Sequence, residues 1–206
     1  SFSGNFIDLQ TNGTTKRKVN SAGDILPGAQ PTISSQTRTT TTNAANVNRG
    51  TQTSIAIGID GLPVVSHHSV FPNPDVLVIT KCGTTDCLSG NTITEIGHVS
   101  NNVGQYTSIA ISTDGFPVIS YQDVTATDLV ITKCGNAACS SGNTTTTIAN
   151  ANQVGIYTSI AIGTDGLPVI SYQDATATDL AITKCGNAAC SSGNTTTTIA
   201  NANSVG

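Results

Sequence analysis

Apolar and polar residues alternate along most of this chain with a period of two, in short runs closed by turn residues. Residues 157–164 (Tyr-Thr-Ser-Ile-Ala-Ile-Gly-Thr) alternate, are rich in β-formers, and predict a strand. Asp165-Gly166 then supplies the φ > 0 residue of a tight hairpin turn. Residues 167–172 (Leu-Pro-Val-Ile-Ser-Tyr) predict the return strand, with Pro168 near its start, where a missing N–H is tolerated. A loop at 173–178 leads to a third strand at 179–184, and a cysteine loop leads to a fourth at 195–200. The 3.6-residue period of an amphipathic helix appears nowhere in these segments.

The same pattern occurs three times. Residues 103–153 and 154–204 align without a gap at a period of 51 and differ at six positions: 105/156, 112/163, 116/167, 124/175, 130/181 and 153/204. A diverged copy precedes them, with Thr53-Ser-Ile-Ala-Ile57 standing where Thr107-Ser-Ile-Ala-Ile111 stands later. The expected class is all-β. Four short antiparallel strands in each repeat of about 50 residues describe a β-propeller-like blade. A β-solenoid is the competing repeat fold, but its coils are shorter and need no Asp-Gly hairpin at a fixed place. Three blades do not close a ring, so this chain alone leaves the array open and its edge strands seeking partners.

The expected domains are a leader at 1–36, a first repeat with a preceding strand at 37–102, a second repeat at 103–153, and a third at 154–206 that begins a further one. In the leader, residues 5–11, Asn12-Gly13 and residues 14–19 read as a hairpin with a type I′ turn. Residues 21–24 read as a second turn and residues 27–36 as a linker. The threonines at 39–42 align with those at 144–147, which predicts a fourth-type strand ahead of the first repeat. Val205-Gly206 restarts the motif begun by Val103-Gly104, and the chain opens at Ser1 rather than Met, as expected of a processed product or a piece of something longer.

Composition sharpens this picture. There is no Trp or Met, aromatics are 4% and charged residues 10%, so the core must consist of small aliphatic layers and the surface of hydroxyls and amides. A net charge of −4 offers no footprint for nucleic acid, and no apolar run reaches membrane-spanning length. The six cysteines form three pairs at one spacing, Cys82/Cys87, Cys134/Cys139 and Cys185/Cys190. Local disulfides are the natural pairing and imply an oxidising, extracellular compartment. A zinc site needs histidines nearby, and repeats two and three contain none.

Two resemblances follow from these residues. Residues 157–172 together with Lys184-Cys-Gly-Asn-Ala-Ala-Cys190 resemble the repeats of large secreted bacterial surface proteins, which implies propeller-like blades without an assigned activity. The leader, Phe6-Ile-Asp-Leu-Gln-Thr-Asn-Gly-Thr-Thr-Lys16 with Val19 and Gly23-Asp-Ile25, resembles β-segments of phage tail-fibre-like and bacterial surface fibre proteins. Together they imply a fibre or surface-layer context. Thr164-Asp165-Gly166 is also similar to the Asp-box turn of sialidase-like propellers. The closing aromatic and the arginine cluster of those enzymes are absent, so their activity is not implied here.

Candidate chemistry is sparse. The Asp-Gly pairs at 60, 114 and 165 can act as rim carboxylates for calcium or simply make the turn. Asp123/Asp128 and Asp174/Asp179 flank short loops; paired carboxylates serve glycosidases, yet nothing near them sets one apart from the other. Tyr121, Gln122 and Asp123, with Tyr172, Gln173 and Asp174, form the best binding candidate: an aromatic platform beside an amide and a carboxylate suits a sugar ring. The alternative is that these residues end a strand and pack between blades. His67, His68 and His98 can bind a metal, but neighbours on a strand point to opposite faces, and incidental surface histidines are the plainer reading. Lys81, Lys133 and Lys184 precede each first cysteine without a general base. Asn12, Asn143 and Asn194 match the N-glycosylation sequon.

No catalytic residue, metal or cofactor is expected. The expected function is an extracellular structural repeat protein that forms or decorates a cell-surface fibre, self-associating by edge-strand pairing. A carbohydrate-binding propeller module in adhesion is the alternative, with glycans as partners.

Overall fold

The structure is a computed structural model that describes residues 7–11, 14–19, 25–27, 48–70, 75–97, 102–150 and 153–200. The chain divides into two compact units, Ser1–Thr41 and Thr42–Gly206, a few residues past the expected leader boundary. In the first unit, β1 (Ile7–Thr11) pairs antiparallel with β2 (Thr14–Val19), and Thr11 faces Thr14 across the two-residue connection. A third strand, β3 (Ile25–Pro27), pairs with β2. That strand is absent from the sequence reading because three residues ending in proline are too few to show a period.

The second unit is three four-stranded antiparallel sheets, each ordered as the chain runs. The first blade is β4 (Asn48–Ile57), β5 (Pro63–Val70), β6 (Val76–Lys81) and β7 (Thr92–Ile96). The second is β8 (Val103–Ile111), β9 (Pro117–Asp123), β10 (Asp128–Lys133) and β11 (Thr144–Ala149). The third is β12 (Ile156–Ile162), β13 (Pro168–Asp174), β14 (Asp179–Lys184) and β15 (Thr195–Ala200). The all-β class and the three disulfide-containing repeats are therefore present, in a propeller-like arrangement that three blades do not close. No helix of the described residues is long and apolar enough to cross a membrane. The expected strand at 39–42, the turns at Asn12-Gly13 and 21–24, the linker from residue 28 on, His98 and Val205-Gly206 lie outside the described residues.

The hairpin that opens each blade is a three-residue loop. In the third blade Gly166 N–H donates to Gly163 O at 2.9 Å, Gly163 N–H donates to Leu167 O at 2.9 Å, and only Gly166 has positive φ, at 79°. This is a type I turn followed by a left-handed glycine, which suits the twist of the flanking strands. The first strand of each blade carries a bulge of its own. In β8, Gly104 (φ 95°) and Tyr106 (φ 54°) adopt left-handed conformations, and the ladder to β9 shifts between Val103 and Gln105 and again between Gln105 and Ser108. A tyrosine at positive φ is uncommon, and a pattern of alternation cannot reveal it.

Blades pack face to face in chain order, β8 on β4 and β5, then β12 on β8 and β9. Two small aliphatic cores result, one per junction. Val64, Leu77 and Ile79 of the first blade meet Ile109, Ile119 and Tyr121 of the second. Val118, Leu129 and Ile131 of the second meet Ile160, Ile170 and Tyr172 of the third. The positions are the same in both. Each blade thus has a trailing face, built on its Val-Ser-Leu-Ile positions, and a leading face that receives the trailing face of its predecessor.

Candidate functional site

The residues with distinctive chemistry converge on the junctions between blades and on the clips that hold each blade together. The clip is built on the cysteine loop. Cys82–Cys87, Cys134–Cys139 and Cys185–Cys190 are disulfide-bonded, each spanning five residues, as the spacing predicts. Inside the loop Asn136 Oδ1 accepts from Ala138 N–H and Ser140 N–H, both at 3.1 Å. Asn143 closes it, accepting from Gly135 N–H at 3.1 Å and donating to Cys139 O at 2.6 Å. A Cβ at Gly135 would lie 2.5 Å from Gly142 O, so the loop admits no side chain there. Asn194 repeats both bonds of Asn143. The amides of these two sequons are thus engaged within the loop.

Each lysine before the first cysteine ties the clip to the hairpin turn. Lys81 Nζ reaches Asp60 at 2.8 Å, Lys133 reaches Asp114 at 2.8 Å, and Lys184 reaches Asp165 at 2.7 Å. Lys133 also donates to Cys134 O at 3.0 Å and lies over the Phe116 ring, 5.3 Å from its centre. The lysine hydrogen bond, helped by a backbone N–H, holds the carboxyls of Asp60 and Asp165 below their ordinary range. At Asp114 partial burial acts upward, but the Lys133 hydrogen bond and a backbone N–H together outweigh it and the net shift is downward. These carboxylates make the turn and neutralise a lysine. Among the described residues no group of three or more His, Cys, Asp or Glu is placed to hold a metal.

The junction itself is a ladder of small polar groups over the aliphatic core. Thr107 Oγ1 donates to Ser66 Oγ at 2.9 Å, and Thr158 Oγ1 pairs with Ser120 Oγ in the next junction. Ile109 N–H donates to Ser54 Oγ and Ile160 N–H to Ser108 Oγ, both at 3.2 Å. On the outer strands Thr94 Oγ1 donates to Ala138 O at 2.8 Å and Thr146 Oγ1 to Ala189 O at 3.0 Å. Leu77 and Leu129 sit directly beneath Gly104 and Gly155, where a Cβ would come within 2.6 and 2.9 Å of the leucine Cα atoms. These contacts recur at equivalent positions in both junctions.

This geometry places the proposed sugar platform inside the junctions. Tyr121 and Tyr172 are each 3% exposed and pack in the two cores, so neither ring has a face free for stacking on a sugar. Tyr121 OH pairs with Thr132 Oγ1 at 3.0 Å, and burial, above all, raises its pKa and keeps the phenol neutral. Gln122 is buried and donates to Val154 O of the next blade at 2.9 Å. Gln173, its counterpart in the last blade, is half-buried. Asp123 Oδ1 accepts from Thr125 N–H at 2.9 Å and Ala126 N–H at 3.0 Å; Asp174 does the same for Thr176 and Ala177, both at 3.0 Å. The expectation that these residues form a glycan platform is therefore corrected to packing and loop capping. A strand-ending Tyr-Gln-Asp reads alike whether it faces solvent or another blade.

Histidine replaces two of these residues in the first blade. His68 Nε2 contacts Asp75 Oδ2 at 3.2 Å, within the blade, and Gly50 N–H donates to His67 Nδ1 at 3.2 Å. The junction serines and threonines were not singled out from the sequence. Their signal was a polar Thr-Ser pair preserved in an otherwise apolar strand of every copy, at 53–54, 107–108 and 158–159. No family model matches this chain, and no curated protein matches it.

Proposed function

We propose that this chain is an extracellular structural repeat protein whose β-blades form or decorate a surface fibre. The observation that carries this reading is the repetition of one hydrogen-bond ladder and one aliphatic core at both places where blades meet. The candidate chemical groups are taken up in the same way: lysines neutralise turn aspartates, Tyr121 and Tyr172 fill cores, and Asn143 and Asn194 close loops. A scaffold needs identical joints, whereas catalysis needs an asymmetric site that one copy alone provides. Three disulfides in 206 residues belong to an oxidising compartment and add stability to blades with small cores.

The test is location and form in the cells that make the protein. Antibody to the chain, applied to intact cells and followed by immunogold electron microscopy, is expected to label filaments or a surface layer. Label found only inside permeabilised cells, with none outside, overturns the reading.

A further inference from the structure

We propose that the trailing face of the third blade is a docking site for a second copy of this chain, which seats the leading face of its first blade there. This joint rests on the structural role proposed above and specifies how one chain meets the next.

The two outward faces are the two halves of the junction already made twice within the chain. On the third blade, Leu180 is 44% exposed, whereas Leu77 and Leu129 at the same position are 0% exposed. Ser171 and Ile182 are likewise half-exposed where their counterparts Ser120 and Ile131 are buried, and Thr197 stands exposed where Thr94 and Thr146 each bond the next blade.

The first blade carries the complementary set. Ile55 is 63% exposed, while Ile109 and Ile160 at its position are buried. Gly50 keeps the positive φ of Gly104 and Gly155, at 85°, although no heavy atom of the described residues comes within 4 Å of a Cβ placed on it. The left-handed glycine that lets a leucine approach in both internal junctions is thus present with its approach open. Thr53 is exposed and occupies the place from which Thr107 and Thr158 pair with the serine of the blade before.

Seated by the same geometry, Leu180 of one chain lies under Gly50 of the next. Thr53 meets Ser171, Ile55 enters the core, and Thr197 reaches the backbone carbonyl of Asp86, the counterpart of Ala138. His67 stands where the internal junctions have Tyr121 and Tyr172, so this joint buries less apolar surface than an internal one and is weaker. The contact is head to tail. Such a contact closes into a ring or continues as a filament according to the rotation between successive blades.

The experiment uses the full 206-residue chain, oxidised, in sedimentation velocity over a range of concentrations. The unsubstituted chain is expected to associate beyond monomer. Ile55→Asp and Leu180→Asp each place a carboxylate in one half of the joint and are expected to weaken self-association by more than about tenfold. Each variant keeps one intact half, so their equimolar mixture is expected to form a one-to-one dimer and nothing larger. Both positions are exposed in the single chain, so a thermal midpoint near that of the parent checks that each variant is folded. If either is not, Ser171→Arg and Thr53→Arg block the same two halves.

Three results overturn the joint. A parent chain that stays monomeric does so, and the structural role is then decided by the immunogold labelling alone. Assembly unaffected by both variants moves the joint elsewhere, to strand edges for example, and leaves the structural role standing. So does a mixture that stays monomeric while the parent assembles. The mixing pattern combined with a discrete two-chain parent supports the joint and overturns the fibre.

Discussion

Asp128 opens β10, partly buried and close enough to Asp123 to feel its charge. Burial first, and the neighbouring carboxylate second, raise its pKa above the ordinary 3.8. A carboxyl with a raised folded-state pKa favours the fold while protonated, and that benefit is lost as pH climbs from 3.8 through the folded value. Asp128→Asn removes the charge and is expected to raise the thermal midpoint at pH 7 but not at about pH 3. Unfolding scans across that range check it; an equal gain at both values would mean that charge is not the cause. Asp60 and Asp165 have the opposite sign. Their depressed pKa values keep their contribution complete above 3.8 and remove it as pH falls further, so they belong to the acid limb of unfolding.

Among the elements, β6, β10 and β14 have nearly the same sequence in three different settings. Leu129→Ala deletes a fully buried side chain beneath Gly155 and is expected to cost about 3 kcal/mol. Leu180→Ala, the same change one repeat later at a half-exposed position, is expected to cost under about 1 kcal/mol in the monomer. Denaturant unfolding of the two variants measures the difference. That contrast also marks what could be read from the chain. The β12–β13 hairpin, the cysteine loops and the leader strands were legible because period-two alternation, Asp-Gly or Asn-Gly turns and paired cysteines at one spacing are local signals. The bulge at Gly104 and Tyr106 was not, since it exists to let another blade's leucine approach. Tyr121 was misplaced for the same reason: its partners Leu77 and Ile79 lie some forty residues back, and nothing beside it announces them. The candidate site was legible only in its disulfides and turn aspartates.

At the scale of the second unit, the described blades pack on one another in chain order, so stability accrues junction by junction. Every disulfide closes within one loop of one sheet, yet two of the three also line a junction: Cys134 and Cys139 are buried in the first core, and Cys185 and Cys190 in the second. Reduction is therefore expected to cost each blade about 2 kcal/mol of loop constraint and to loosen both junctions, since the same loops carry Ala138 O and Ala189 O, the acceptors for Thr94 and Thr146 of the preceding blade. Midpoints measured with and without a thiol reductant test this, with an unchanged midpoint as the contrary result.

The same local bridging governs how such a chain answers a pull. A covalent bridge limits extension only over the residues it encloses, and here it spans five, with Cα atoms 4.7 Å apart in the second blade. A repeat of 51 residues drawn out straight reaches about 170 Å, of which the bridge withholds only about 12 Å. Under tension, blades yield one after another and release nearly their full contour length with every disulfide intact. Each clip stays closed throughout, so the loop it encloses keeps its covalent span when the load is removed.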